Sequence, residues 1–176
     1  AVEQRKFEKV VGWNLTDDML VNLERTAQEV GLPFEAVSRE ELCAQADVII
    51  TITSCHEALL MRDWVKPGTH IACMGTDTKG KQEVDAELVA AATVFTDEIA
   101  QSVSIGECQH AIAGGLIAEA DITPIGDVIN GAHGGRESDE EVTLFDGTGV
   151  GLQDLAAASA AVRLAQAKGM AQEIDL

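Results

Sequence analysis

The length, composition and charge of the sequence limit what kind of protein it can be. At 176 residues, 46% of them hydrophobic, the chain is long enough for one globular domain, and wholesale disorder is excluded. Thirty acidic residues against 12 basic ones give a net charge of −18, which argues against a nucleic-acid partner. No run approaches the roughly 18 apolar residues of a membrane span, so we expect no membrane partner either.

The start of the sequence and its cysteines predict a cytoplasmic protein seen in part. The first residues carry neither an initiator Met nor the apolar core of a signal peptide, so we expect the sequence to begin within a longer polypeptide. The four cysteines lack CxxC spacing and predict reduced thiols, which are typical of the cytoplasm.

Short apolar runs alternate with amphipathic segments in the first half of the chain. The run at 47–53 is largely β-branched, as in a central strand that is covered on both faces. Thr16 is predicted to cap the first helix. The predicted elements in order are strand 8–13, a helix ending near Gly31, strand 34–37, helix 39–45 and strand 47–53.

The second half continues the same alternation. It predicts strands at 69–74, 93–96 and 141–145, helices at 84–92 and 152–168, and an interrupted helical stretch from 98 to 131. Strands that alternate with helices imply right-handed crossovers. The predicted fold class is therefore α/β, a doubly wound parallel sheet (Rossmann-like) that is truncated at its N-terminus and has a C-terminal helix.

The truncation is inferred from a missing glycine loop. A dinucleotide-binding sheet begins with a strand, a G-x-G-x-x-G loop and a helix, and a ribose-binding residue ends the second strand. Asn14 stands at that ribose position, so the glycine loop would precede Ala1. Residues 1–150 are therefore expected to form a partial dinucleotide-binding domain that lacks its first strand.

Three loops follow predicted strands, at the sheet edge where open α/β sheets bind ligands. They span residues 53–56, 75–81 and 146–151. In the second, the Asp77 carboxylate suits proton handling or the binding of an ammonium group, although it would also suit a simple Asx turn. The third resembles a glycine fingerprint only weakly, but it opens a helix whose N–H groups could approach a ligand.

Metal and nucleophile chemistry find little support. His70 and Cys73, or Cys108 and His110, could bind a metal ion together. No set of four ligands has the spacing of a structural zinc site, however. We expect no metal. Nothing resembles a Ser-His-Asp order or a nucleophile elbow.

Four segments together resemble the ornithine cyclodeaminase/mu-crystallin family, in order and spacing, over essentially the whole chain. Within the family, residues 7–14, 70–81 and 146–154 are most similar to imine-reducing members. The four segments are 46–53, 65–83, 141–149 and 153–158.

The resemblance implies a role for each matching residue. Asp77 matches the catalytic aspartate of the family. The cofactor-binding positions that it implies are Asn14 and Thr16 at the adenosine ribose, Thr51, Thr53 and Ser54 under the cofactor, Met74 and Gly75 at a strand end near it, and Gly147 and Thr148 beside the nicotinamide. It also implies a homodimer whose substrate and dimerisation domain flanks the nucleotide domain, with residues 151–176 returning toward it.

The expected activity is NAD(P)-dependent reduction of an imino acid to an amino acid. A cyclodeaminase-type lyase with internally recycled NAD, or a non-catalytic cofactor-binding protein, remains open. Lys79, Lys81 and Arg136 are candidate cations for an acidic substrate. NAD(H) should be preferred over NADP(H), because the turn after Asn14 offers Leu15 and two carboxylates where a 2′-phosphate needs a cation.

Overall fold

The computed structural model describes residues 2–172 and 174. Strands and helices alternate through most of the chain, as the sequence predicts. The strands are β1 Val10–Gly12, β2 Phe34–Ala36, β3 Val48–Thr51, β4 His56–Leu60, β5 His70–Cys73, β6 Gln82–Val84, β7 Thr93–Thr96, β8 Ile122–Pro124 and β9 Thr143–Asp146. The α-helices are α1 Leu20–Glu29, α2 Arg39–Gln45, α3 Ala86–Ala91, α4 Ile99–Ser102, α5 Gln109–Ala113, α6 Ile125–Ile129 and α7 Gly151–Ala167.

A parallel sheet of five strands forms the centre of the fold, in the order β3-β5-β9-β7-β8. Two further parallel pairs, β1-β2 and β4-β6, are hydrogen-bonded separately. The central strands are buried on both faces, with Ile71 and Leu144 fully enclosed. The expected α/β class with a parallel sheet is confirmed.

Local chemistry explains several boundaries. Helix α2 begins at a complete capping box, in which the Ser38 hydroxyl accepts from the Glu41 amide and the Glu41 carboxylate accepts from the Ser38 amide. The predicted Thr16 cap is wrong. Helix α1 begins only at Leu20, after a 3₁₀ turn, and the Asn14 side-chain amide donates to both oxygens of Thr16.

Strands β4, β6 and β8 were not predicted from the sequence. β6 and β8 have three residues each, too few to reveal a period of two. The composition of β4, His-Glu-Ala-Leu-Leu, favours a helix by propensity, and pairing with β6 overrides that preference.

One edge of the central sheet is open. Strand β3 pairs only with β5 among the described strands, and its other edge faces β1 across a cavity of about 490 Å³. Val10, Val11 and Ile49 line the cavity, and Ile50 is 59% exposed. The expectation that this strand is covered on both faces is therefore only half met.

Candidate functional site

Four loops lie together at the carboxyl edge of the central sheet. Because the strands are parallel and in register, with Thr51 opposite Cys73 and both Cys73 and Thr96 opposite Asp146, the residues that follow these positions leave the sheet on the same side. This edge carries the loops after β3, β5, β7 and β9. In open α/β sheets it is the usual place for a ligand.

The loops after β3 and β5 are joined through one buried side chain. The Glu83 carboxylate accepts from the Thr53 amide at 2.5 Å and from the Gly75 amide at 3.0 Å. A Cβ on Gly75 would lie 2.3 Å from the Thr53 carbonyl oxygen, so only glycine permits this approach. The prediction that the Thr53 and Asp77 loops share an edge is confirmed.

Asp77 presents an exposed carboxylate at this edge. Its Oδ1 accepts from Lys81 Nζ at 2.6 Å and from the Thr78 hydroxyl at 3.0 Å. The hydrogen bond from Lys81, followed by that from Thr78, lowers the pKa of Asp77 below its ordinary value. The group is therefore ionised at neutral pH. It suits the binding of a positive charge better than the donation of a proton.

The loop that bears Asp77 is held by two side chains from α5 that the sequence analysis did not single out. The Gln109 amide donates to the carbonyls of Thr78 and Lys81, and its oxygen accepts from the Gly80 amide at 2.7 Å. His110 Nε2 lies 3.0 Å from the Lys81 carbonyl oxygen. A polar run inside a helical stretch was the only signal for these contacts in the sequence.

Asp97, which follows β7, holds the loop after β9 and was also missed. Its carboxylate accepts from the amide and hydroxyl of Thr148, the Gly149 amide and the Gln153 side chain, at 2.7–3.1 Å. Burial alone would raise the pKa of Asp97, but these hydrogen bonds outweigh burial and lower it. The carboxylate therefore fixes Thr148 and the start of α7.

The remaining predicted cofactor positions differ in how accessible they are. Met74 is 44% exposed, and a Cβ on Gly147 would come within 2.8 Å of its sulfur. Ser54 is exposed, whereas Thr51 is buried below the loop. Met74 and Gly147 thus form a small apolar surface next to the loop that carries Asp77.

The other predicted residues stand apart from this cluster. Asn14 and Thr16 follow β1, in the separately bonded pair, and no hydrogen bond joins them to the other loops within residues 2–172. Arg136 binds the Gly68 and Glu141 carbonyls at the amino ends of the strands, so its assignment as a substrate cation at this edge is wrong. Lys81 is engaged with Asp77, and Lys79 is exposed.

All four cysteines are free thiols, as predicted, and three of them are buried. In the part of the chain that the structure describes, no three His, Cys, Asp or Glu residues are grouped to hold a metal ion. No helix there has the length and apolarity needed to traverse a membrane.

Known proteins resemble the chain in sequence and structure. It is 61% identical over 176 residues to the iminosuccinate reductase of Paracoccus denitrificans (strain Pd 1222), covering 100% of this chain and 55% of the relative. The crystal structure described as that reductase in complex with NAD+ superposes with a TM-score of 0.96 at 60% identity, covering 99% and 54% of the two chains.

A second solved structure, described as an archaeal alanine dehydrogenase dimer with bound NAD, gives a TM-score of 0.89 at 32% identity, covering 96% of this chain and 52% of the other. The chain thus spans about half the length of these relatives. The model of the ornithine cyclodeaminase/mu-crystallin family matches residues 1–168. The chain therefore belongs to the ornithine cyclodeaminase/mu-crystallin family.

Proposed function

We propose that the full-length protein carrying this sequence is an NADH-dependent reductase that converts an imino acid to an amino acid. The observation that carries the proposal is the ionised Asp77 carboxylate, exposed at the sheet edge where the loops after β3, β5 and β9 meet. The 61% identity to an iminosuccinate reductase supports the same chemistry.

The residues present at this edge suit a nicotinamide cofactor. The exposed Met74 side chain and the adjoining Gly147 give an apolar surface for a ring, and the half-buried Thr53 offers a hydroxyl in the neighbouring loop, whereas the buried Thr148 hydroxyl donates to Asp97. Asp97 fixes Thr148. When bound, the cofactor supplies the hydride that adds to the imine carbon.

Asp77 would act as a fixed negative charge beside the substrate nitrogen. An iminium is positively charged, so a carboxylate within hydrogen-bond distance binds it and orients the imine carbon. Hydride addition to the iminium carbon would give the neutral amine directly, and this amine then takes one proton from solvent to become the ammonium group of the amino acid. Lys81 holds the Asp77 carboxylate through a 2.6 Å ion pair, which limits its rotation.

The substrate we favour is iminosuccinate, with aspartate as the product. This choice rests on the named relative and on the imine chemistry of the site. The two carboxylates of this substrate need cations to bind them. Lys79 is a weak candidate because it is exposed, and Lys81 is already paired with Asp77. We therefore expect the substrate-binding cations to come from another part of the full-length protein.

That other part would also complete the sheet. We propose that residues 1–150 are a partial dinucleotide-binding domain whose first strand lies in the cavity between β1 and β3 and whose glycine loop follows that strand. The unpaired edge of β3 and the apolar lining of the cavity support this arrangement. Residues 151–176 include α7, which exposes Leu152, Leu155 and Val162 and would return to a substrate and dimerisation domain of a homodimer.

NAD(H) is the cofactor we expect to be preferred over NADP(H). The turn after β1 presents Asn14 and an exposed Leu15, and neither can neutralise a 2′-phosphate. Arg39 lies near this turn, and its guanidinium stacks 5.1 Å from the centre of the Trp13 ring and 5.8 Å from that of Trp64. The stacking uses the face of the guanidinium and not its N–H edge, so the expected NAD(H) preference rests on Asn14 and Leu15.

Two alternatives make different measurable claims. A cyclodeaminase-type lyase would convert an amino acid with no net consumption of NADH. A non-catalytic protein would bind the cofactor and reduce no imine. Steady-state NADH oxidation with iminosuccinate, formed from oxaloacetate and ammonia, identifies the reductase. Ammonia release from an amino acid at constant NAD identifies the lyase, and NADH binding with neither activity identifies the non-catalytic protein.

The test of the assigned role is Asp77→Asn in the full-length protein. We expect kcat to fall by about 10²–10³, the usual scale for the loss of one preorganised electrostatic group, because the fixed negative charge beside the nitrogen is lost. Asp47→Asn is the matched control, since Asp47 forms a similar exposed ion pair with Lys66 at 2.7 Å, at the amino end of β3. Unchanged turnover in the Asp77 variant would return Asp77 to the simple turn interpretation.

A further inference from the structure

A buried network of three carboxylates lies beneath the loops of the candidate site. Glu83, Glu107 and Asp146 are 0%, 1% and 0% exposed. In the described chain, the hydrogen bonds to their carboxylates come from backbone amides and hydroxyls, and no salt bridge reaches them. Buried carboxylates that lack a cation are rare unless several donors are fixed toward them.

Glu107 is the centre of this network. Its Oε1 accepts from the amides of Glu83 and Val84 at 2.9 and 2.6 Å, and its Oε2 accepts from the Thr76 hydroxyl at 2.5 Å. Its own amide donates to Asp146 Oδ2 at 2.9 Å. One residue therefore contacts the Asp77 loop, strand β6 and the end of β9.

The network extends through Glu107 to all three ligand loops. Thr76 directly precedes Asp77, and Asp146 directly precedes Gly147. Glu83, whose amide Glu107 holds, binds the Thr53 and Gly75 amides with its side chain. The relative positions of these loops thus depend on one buried side chain that lies away from the exposed surface of the site.

We propose that Glu107 is a positioning residue, which fixes the Asp77 loop against the Thr53 and Gly147–Thr148 loops so that substrate and cofactor meet in the reactive geometry. The inference rests on the proposed function, because it assigns these loops to one site. Displacement of reacting groups by about 1 Å lowers turnover by about 100-fold, so loss of such a support should affect kcat more than cofactor binding.

The chemistry of the three donors explains why this residue is a carboxylate. A glutamine can keep both amide hydrogen bonds through its oxygen, but its NH₂ then faces Thr76 and donates instead of accepting. Protonation of the Glu107 carboxylate has the same effect, because its O–H would donate to Thr76 instead of accepting from it. Burial, and the nearby Asp146, raise the pKa of Glu107 to about 7, although hydrogen bonds from Thr76, Val84 and Glu83 lower it in part.

The experiment compares Glu107→Ala and Glu107→Gln with the wild type in the full-length protein. We expect Glu107→Ala to lower kcat for imine reduction by about 10- to 100-fold, with less than a threefold change in the Kd for NADH. Glu107→Gln should regain most of the lost kcat. Glu141→Gln is the matched control, because Glu141 also accepts from a threonine hydroxyl and an amide, near the amino ends of the strands.

Thr76→Val keeps the experiment informative if Glu107→Ala does not fold. It removes only the hydroxyl that links Glu107 to the Asp77 loop, and it should lower kcat in the same way. A folded Glu107→Ala protein with wild-type kcat, or an equal loss in Glu141→Gln, would overturn the proposal, as would wild-type kcat in Thr76→Val.

Hydrogen exchange keeps this proposal separate from the proposed function. If the wild type reduces no imine, the proposed function fails, whereas the positioning role still predicts faster exchange of the Thr53, Gly75, Glu83 and Val84 amides in Glu107→Ala. Glu141→Gln should leave those amides protected. Unchanged protection in Glu107→Ala would reject the positioning role without reference to activity.

Discussion

The buried carboxyl of Asp146 should make the stability of the protein depend on pH in an unusual direction. Burial raises the pKa of Asp146 from its ordinary value of 3.8 to about 6, and the hydrogen bonds from Ser102 and backbone amides offset burial only in part. One oxygen, Oδ1, is buried without a hydrogen-bond partner among the residues that the structure describes. The folded state thus holds this proton more tightly than the unfolded chain does.

The sign and size of the effect follow from that difference. Between pH 3.8 and about 6 the folded protein binds more protons, so the free energy of unfolding falls as the pH rises through this window and stays lower above it. At about 1.4 kcal/mol per pH unit, the pKa difference amounts to about 3 kcal/mol. Asp146→Asn should abolish this dependence, because an amide does not titrate in this range. Its side-chain oxygen can still accept from the Ser102 hydroxyl and the Glu107 amide.

Urea titrations of the full-length protein measure the effect. The protein concentration is held constant, and unfolding is followed by tryptophan fluorescence at several pH values from about 4 to 8. Burial, and to a lesser extent the Arg136 charge, lower the pKa of His70. The contribution of His70 to the free energy of unfolding therefore rises with pH. It is the same in the wild type and in Asp146→Asn, so it cancels when their free energies of unfolding are subtracted. Glu57→Gln, which removes an exposed carboxyl on β4, is the control.

The difference between wild type and Asp146→Asn should change by about 2.5 kcal/mol from pH 4 to pH 8, because at pH 4 the carboxyl of the unfolded chain is already more than half ionised. Loss of the Asp146 charge also lowers the pKa of Glu107, which adds to this change. The substitution also leaves a buried NH₂ donor at the site of Oδ1, which adds a constant penalty of about 1–3 kcal/mol but no slope. Parallel stability curves for the two proteins would refute the reasoning.

Two further predictions test the packing of the loops and the choice of cofactor. Gly75→Ala should destabilise the protein by about 1–3 kcal/mol or more, because its Cβ would meet Thr53 backbone atoms, whereas Gly126→Ala has open space and should change stability by less than about 0.5 kcal/mol in the same urea assay. The ratio of kcat/KM for NADH to that for NADPH should exceed ten, and a tenfold preference for NADPH would contradict the reading of the turn after β1.

The sequence predicted those features that depend on local pattern. The runs that became β3, β5, β7 and β9 were evident from their β-branched and apolar residues, and the order of strands and helices then required one ligand edge. The loops that carry Thr53, Asp77 and Thr148 were located for the same reason. These features need no knowledge of distant contacts.

The supports of the site could not be predicted in this way. Asp97, Glu107 and Gln109 bind partners that lie 20 or more residues away, and a single polar residue in a helical or loop segment gives no sign of such a partner. Strands β4 and β6 also exist through pairing rather than propensity. The side chains that support the site loops, and the short strands, can therefore be identified only from the three-dimensional structure.

The open edge of β3 has a consequence for handling the protein. An unpaired parallel edge that exposes Ile50 at 59%, next to Ile52 at 75%, offers backbone donors and acceptors to any extended chain. Expressed as an isolated segment, residues 1–176 should therefore tend to associate edge to edge into aggregates. A charged side chain at position 50 or 52, introduced for example by Ile52→Lys, should reduce this association.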